Sequence, residues 1–387
     1  MLVVAPDISY ETKNSNVIHL LEVVNNLERY CDVYLIARGK INNNSSDNIY
    51  LVKEFLDIHP FRGLTRSITS LVIGFNLIRK RNIDIIYERH HVFDIGIILS
   101  KVFKIPCVLE VNGILIDEVK VSGSYGPTLQ KAVYLIENLL IRHANCIIAV
   151  TPGIKDDFVK RGIDKKKVHV IPNGANIDLF KPINRDKSAE CIGLDKKYKY
   201  ICFVGNLAPW QGVEYLIKST SMILKRCPDV RFLIVGNGTM QGDLEALAEE
   251  LGVPDKFIFT GVIPYEKVPL YINASDLCVA PFIVARNAKI GLSPLKIYEY
   301  LACGKPVVAS DIPGVSDILK KSCGGIVVTP EAPRELADVI IKMLGNKDLL
   351  EEMGSNSRKY VVKNHSWSAV AERIVTLCGD VIKVQKK

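Results

Sequence analysis

The chain has 387 residues and ten cysteines, but no CxxC pair among them, which argues against a zinc ribbon or a dithiol redox centre. The cysteines are scattered (31, 107, 146, 191, 202, 227, 278, 303, 323 and 378), mostly among apolar neighbours as in Asp276-Leu-Cys-Val-Ala280, and read as buried, reduced thiols of a cytoplasmic protein. Low-complexity tracts and short internal repeats are missing. No apolar run reaches bilayer-spanning length: Ile68–Ile78 is broken by Thr69, Ser70, Gly74 and Asn76 and stops at Arg79-Lys-Arg81. The start, Leu2-Val-Val-Ala5, has no basic segment of the kind that opens a signal peptide.

Lys and Arg number 50 against 42 Asp and Glu, a formal net charge of +8. The cations form no evident stripe, so a nucleic-acid module is not expected. The excess suits solubility, attraction of an anionic nucleotide, or peripheral docking on the cytoplasmic face of an anionic membrane. Residues 61–81 mix bulky apolar with basic side chains, as an ordinary half-buried helix or an interfacial membrane helix would.

A chain this long splits into more than one core. Short β-branched runs alternate with helical patterns: Leu2–Ala5, Val33–Ala37, Ile83–Tyr87, Cys107–Val111, Cys146–Val150 and Val168–Ile171 read as strands. Val17–Leu27, Phe93–Phe103, Leu129–His143 and Gly153–Arg161 read as the helices between them. The polar stretch Phe180–Ser188 reads as a linker, after which the alternation resumes with strands at Tyr200–Gly205, Arg231–Val235, Lys256–Thr260, Leu277–Ala280, Pro306–Ala309 and Gly325–Val328. The fold class is therefore α/β: two doubly wound parallel-sheet halves, with ligands expected beyond the carboxyl ends of the strands, in a cleft where the halves face each other.

Three strand ends of the second half lead into glycine-containing turns. Phe203-Val-Gly-Asn206 continues through Gln211-Gly212 into a helix, an arrangement that presents free N–H groups and the positive end of a helix dipole to an anion. Leu233–Gly238, with Gly236 and Gly238, allows close backbone approach or simply a tight turn. Gly261-Val262 offers backbone groups to a flat base. The segment Gly291–Ala309 is the most informative. Ser293 suits a helix cap and Pro294 a first turn; Leu295, Tyr298 and Leu301 or Ala302 share a packed face. Lys296 and Glu299, three apart, share another face. They form either a surface ion pair or a site in which Glu299 accepts from ribose hydroxyls and Lys296 meets phosphate.

That segment resembles the donor-site helix of the GT4-type retaining glycosyltransferases with the GT-B fold. The resemblance runs through Ile147–Lys155, Val170-Ile-Pro-Asn-Gly-Ala-Asn-Ile-Asp-Leu-Phe180, Gly261, Tyr271–Asp276, Glu299–Ala309 and His365-Ser-Trp367 in order. It implies two Rossmann-like domains, an acceptor-binding one at 1–180 and a donor-binding one at 181–364, with a final helix over 365–387 returning to the first. It also implies transfer from a nucleoside diphosphate sugar to a glycan, lipid-linked or polysaccharide acceptor with retained anomeric configuration, no cofactor and no metal. The chain has no Asp-x-Asp motif, which disfavours the metal-dependent architecture. The implied donor contacts are Gly205, Asn206, Gln211, Gly212, Gly236, Gly238, Gly261, Val262, Ser293, Pro294, Leu295, Lys296 and Glu299. The implied acceptor contacts are Asn14, Arg89, His90, Glu110 and Glu118. Catalytic roles fall to Asn112, Lys296 and Glu299.

The pattern breaks in places. Gly291 stands where many relatives carry the first of two glutamates, Glu299 being the second. Asn206 and Gln211 stand where an arginine and a lysine usually flank the diphosphate; charge-assisted bonds are roughly twice as strong as neutral ones, so Lys296, or else Arg286 or Lys289, has to compensate. Asn112 replaces a histidine near the sugar, and the loop Pro6–Asn16 has no glycine. The neutral pair keeps open a non-catalytic nucleotide-binding subunit of a glycosyltransferase complex; a nucleotide-sugar epimerase on the same fold is the other alternative.

Overall fold

The computed structural model describes residues 1–10, 14–39, 48–52, 62–117, 126–287 and 289–385. Its strands and helices fall into two compact units, Met1–Pro172 with Ser368–Lys387, and Asn173–Trp367.

Unit 1 comprises β1 (Leu2–Ser9), α1 (Ser15–Leu27), β2 (Tyr34–Arg38), β3 (Ile49–Val52), α2 (Arg62–Lys80), β4 (Ile86–Arg89), α3 (Ile95–Phe103), β5 (Cys107–Val111), α4 (Pro127–Ile141), β6 (Cys146–Ala149), α5 (Pro152–Lys160) and β7 (Val168–Val170). The sheet is parallel throughout, in the order β3-β2-β1-β4-β5-β6-β7. β5 and β6 are buried along their whole length, the continuous apolar pattern of strands covered on both faces. The chain winds one way through β1, β2 and β3, then returns over them to β4 and continues through β5 and β6. Right-handed crossovers therefore put α1 on one face and α2, α3 and α4 together on the other.

Unit 2 comprises α6 (Arg185–Cys191), β8 (Lys199–Val204), α7 (Val213–Arg226), β9 (Val230–Val235), α8 (Gln241–Glu250), β10 (Phe257–Gly261), α9 (Val268–Ala274), β11 (Leu277–Ala280), α10 (Val284–Asn287), α11 (Leu295–Ala302), β12 (Val307–Ser310), α12 (Val315–Ser322), β13 (Gly325–Val328), α13 (Pro333–Leu344) and α14 (Lys347–Asn364). Its parallel sheet runs β10-β9-β8-β11-β12-β13. The twofold alternation of β8 divides its side chains between two cores: Tyr200 and Cys202 pack with α11, whereas Ile201 and Phe203 pack with α7 and α13. The stretch expected as a linker is anchored instead. Phe180 is fully buried, and Asn184 caps α6 by accepting the Lys187 N–H, so a local cap signal inside a polar run outweighed its overall composition.

The two ends of unit 2 are tied together. Ala175 donates to the His365 carbonyl at 2.8 Å and accepts from Trp367 N–H at 3.1 Å. From Ser368 onward α15 (Trp367–Gln385) belongs to unit 1, where Gln385 donates to the Lys104 carbonyl.

Candidate functional site

α11 is buried along nearly its whole length; from Lys296 to Ala302 every residue is buried. The i,i+3 spacing of Lys296 and Glu299 therefore does not make a surface ion pair: the two are 9% and 5% exposed. The Lys296 ammonium donates to Gln211 Oε1 at 2.8 Å and lies 3.8 Å from the centroid of the Phe203 ring. Burial pushes its pKa down to about 7, against the opposing pull of Glu299. Glu299 Oε1 accepts from the Tyr265 hydroxyl at 2.8 Å. Phe203 opens the Phe203-Val-Gly-Asn206 motif near the end of β8, whereas Tyr265, four residues beyond the end of β10, carries no motif of its own.

Gly205, at the end of β8, makes room for the lysine. A Cβ there would come within 2.5 Å of Lys296 Nζ, so glycine is needed for the ammonium to sit beside the turn. Gly212, Gly236 and Gly238 pack against main-chain oxygens of Pro281, Gly205 and Leu207. Gly261 ends β10 with open space beside it, and the adjacent Val262 is among the most exposed apolar residues. Asn206 is exposed and Leu295 half-buried.

Ser293 does not cap the helix. Pro294 is the cap residue and supplies no side-chain bond. The Ser293 hydroxyl instead accepts from Asn173 N–H at 2.9 Å and is 2.9 Å from the Tyr298 hydroxyl; Asn173 Nδ2 donates to the Ser293 carbonyl at 2.7 Å. These bonds fasten the segment leading into α11. Of the alternative cations, Lys289 is exposed, and the Arg286 side chain lies outside the described residues.

In unit 1 the expected acceptor residues separate into groups. Arg89 Nη1 is 2.6 Å from His19 Nδ1, and Nη2 donates to Asn16 Oδ1 at 3.1 Å. A guanidinium only donates, so His19 Nδ1 accepts and Nε2 carries the proton, 3.0 Å from Glu110 Oε1. Burial raises the Glu110 pKa, but His19, Arg89 and Asn112 together bring it down to about 2. Arg89, Glu110 and Asn112 thus belong to one polar cluster at the ends of β4 and β5. His19 and Asn16 join it; neither stood out in the sequence because both come from α1.

His90, expected as an acceptor contact, meets a different set of groups. Its Nδ1 is 2.9 Å from Asp94 and its Nε2 3.1 Å from Glu137, so both ring nitrogens are engaged inside the unit. Burial lowers its pKa, but the two carboxylates win and hold it near 10. Asn14 is also taken up structurally: it caps α1, accepting from Asn16 N–H and Val17 N–H. Glu118 lies outside the described residues, as do residues 11–13 of the N-terminal loop and residue 61. Among the described residues, Glu88, His91 and Asp94 bring ligand-type atoms within 4.8 Å of one another. Their carboxylates already have partners: Glu88 accepts from Gly96 N–H and Ile97 N–H, and Asp94 from His91 N–H.

Known proteins share this architecture. Residues 184–360 match the family described as glycosyl transferases group 1, and residues 17–179 match glycosyltransferase family 4. The chain is 25% identical over 289 residues to alpha-D-kanosaminyltransferase of Streptomyces kanamyceticus, covering 73% of each chain. It is also 25% identical to D-inositol 3-phosphate glycosyltransferase of Corynebacterium diphtheriae, covering 83% of this chain and 78% of that one. Among solved structures, sucrose-phosphate synthase of Thermosynechococcus elongatus superposes with a TM-score of 0.79 at 18% identity, covering 99% of both chains. Anabaena HepE in complex with UDP gives 0.75 at 18%, covering 98% of this chain and 99% of that one. The two parallel sheets are thus those of the GT-B fold, and the chain belongs to the GT4-type glycosyltransferase family.

Proposed function

We propose that the chain moves a sugar from a nucleoside diphosphate sugar, bound on unit 2, to a hydroxyl of a glycan, lipid-linked or polysaccharide acceptor, with retention at the anomeric carbon. The observation that carries this reading is the buried Lys296 ammonium held by Gln211 beside the β8 turn, with Glu299 three residues further along the same helix. Lys296 meets the diphosphate and Glu299 the ribose hydroxyls. Protonated Lys296 and the N-terminal ends of α7 and α11 supply the positive field that a leaving diphosphate needs, so no step requires a metal. The C1–oxygen bond to the β-phosphate breaks, the acceptor oxygen bonds C1 on the same face, and the acceptor's proton passes to a β-phosphate oxygen. Asn112 acts as a hydrogen-bonding group for a sugar hydroxyl, since an amide is no base.

Anabaena HepE has been solved with UDP-glucose bound, which makes uridine diphosphate sugars the first donors to try. The test is thermal shift with UDP, GDP and ADP and their sugars, followed by donor hydrolysis and transfer. If no nucleoside diphosphate raises the melting temperature, the reading is wrong. A second reading, a nucleotide-binding subunit without turnover, is favoured by the neutral Asn206 and Gln211; it predicts a thermal shift with neither hydrolysis nor transfer.

A further inference from the structure

The walls around the Lys296 ammonium give Phe203 a role beyond filling the core. An ammonium has three N–H donors and no acceptor, and Lys296 is buried. Gln211 Oε1 takes one N–H at 2.8 Å. The Phe203 ring offers its face, with Nζ 3.8 Å from the centroid, and the Phe282 ring stands further off at 5.5 Å. Both phenylalanines are fully buried. The face of an aromatic ring is the negative part of its quadrupole, so it attracts a cation, and more strongly where water is excluded.

The contact is built across the sheet. α11 packs with Tyr200 and Cys202 on one side of β8, whereas Phe203 belongs to the core on the other side. Lys296 reaches the ring beside Gly205, where a Cβ would stand 2.5 Å from Nζ and 3.0 Å from Cε. Burial works against the charge; the titratable groups that favour it are Glu299, on the same helix, and Cys202, on β8. Gln211 and Phe282 come from the loops after β8 and β11 and are neutral.

We infer that Phe203 is a positioning residue for the donor: the face of its ring holds the Lys296 ammonium, charged and in place, beside the β8 turn. It acts on the diphosphate only through Lys296. The inference rests on the reading that unit 2 binds a nucleoside diphosphate sugar, and it assigns part of the work of keeping the cation to an aromatic side chain of the strand. Without the ring the amine gives up its proton at lower pH, and the site loses the charge that meets the phosphates.

The experiment follows the Lys296 amine by carbon NMR of the full chain labelled at lysine Cε, the signal being assigned by its loss in Lys296→Met. In Phe203→Leu, which keeps an apolar side chain but has no π face, the titration midpoint is expected to fall by roughly one pH unit. Phe282→Leu, from the more distant ring, should lower it less. Phe232→Leu, a buried ring stacked on Phe257, should cost stability and leave the midpoint where it was. UDP-glucose binding to Phe203→Leu should be several-fold weaker at neutral pH, the gap closing in mildly acidic solution where both proteins carry the charge. Circular dichroism confirms folding, and Phe282→Leu carries the same test if Phe203→Leu does not fold. An unmoved midpoint, an equal fall in Phe232→Leu, or affinity lost equally at every pH leaves Phe203 with packing alone and overturns the proposal, while the donor reading stands. A parent chain that binds no nucleoside diphosphate sugar removes the donor reading itself, and the role of Phe203 with it.

Discussion

Lys296 donates to Gln211 at 2.8 Å, from the first turn of α11 to the loop after β8. Where relatives place a lysine in that loop, this chain has a neutral amide and the ammonium comes from the helix. The charge in the site therefore depends on a buried group whose pKa burial pushes down to about 7.

This gives donor binding a pH dependence of defined sign. An arriving diphosphate favours the protonated amine and raises its pKa, so binding takes up a proton when the free site is deprotonated. Affinity for a nucleoside diphosphate is expected to fall as pH rises past about 7. Calorimetric titration in buffers of different ionisation enthalpy reads the proton uptake directly. Lys296→Arg, which stays charged, should flatten the profile, while Lys296→Met should weaken binding at every pH.

The bond from Tyr265 to Glu299 predicts graded effects. Glu299→Gln removes an ionised acceptor and should cost about 1.5–3 kcal/mol of donor affinity, the range for hydrogen bonds to charged groups. Tyr265→Phe leaves the carboxylate but removes one of its hydrogen bonds, and should cost about 1 kcal/mol. Competition by nucleoside diphosphate against a fluorescent analogue measures both. Equal affinity of Glu299→Gln and the parent would remove Glu299 from the site.

Gly291 marks a contrast with many relatives that is locked in by the backbone. Its φ is +72°, and a Cβ would come within 2.6 Å of the Pro313 carbonyl oxygen. Gly291→Glu, which adds the carboxylate those relatives carry, is therefore expected to destabilise the protein by about 1–3 kcal/mol. Gly291→Ala should do nearly the same, since the strain begins at Cβ. A melting temperature unchanged in Gly291→Ala would show that the turn can adapt.

His90 predicts a stability window. Its folded pKa, near 10, lies above the ordinary value of 6.5. The stabilisation from its imidazolium is thus complete below the unfolded pKa and is lost as pH rises through the folded one. The melting-temperature gap between the parent and His90→Gln should be widest at mildly acidic pH and close toward about pH 10. A gap that widens on the alkaline side would reverse the assignment.

Much of the architecture was legible along the chain. Cys107–Val111, Leu277–Ala280 and Gly325–Val328 are strands with the bounds expected of them, and α11 begins and ends within a residue of the segment its Pro294 and Gly304 bracket. β3 went unread although Ile49-Tyr-Leu-Val52 is apolar throughout, because it is only four residues long and follows a polar stretch; three of the four are partly buried. α9 and α12 were also missed, seven- and eight-residue helices too short for periodicity to declare them.

The sequence by itself determined the alternation, the two-sheet class and which helix would bring a lysine and a glutamate together, because periodicity and turn chemistry act over a few residues. Only the tertiary structure decided what those side chains touch. Gln211 is 85 positions from Lys296, and Tyr265 is 34 from Glu299; His90 finds Glu137 across 47 positions. Such pairings arise when strands order themselves in a sheet and water is excluded, and burial, not spacing, then sets the charge of Lys296.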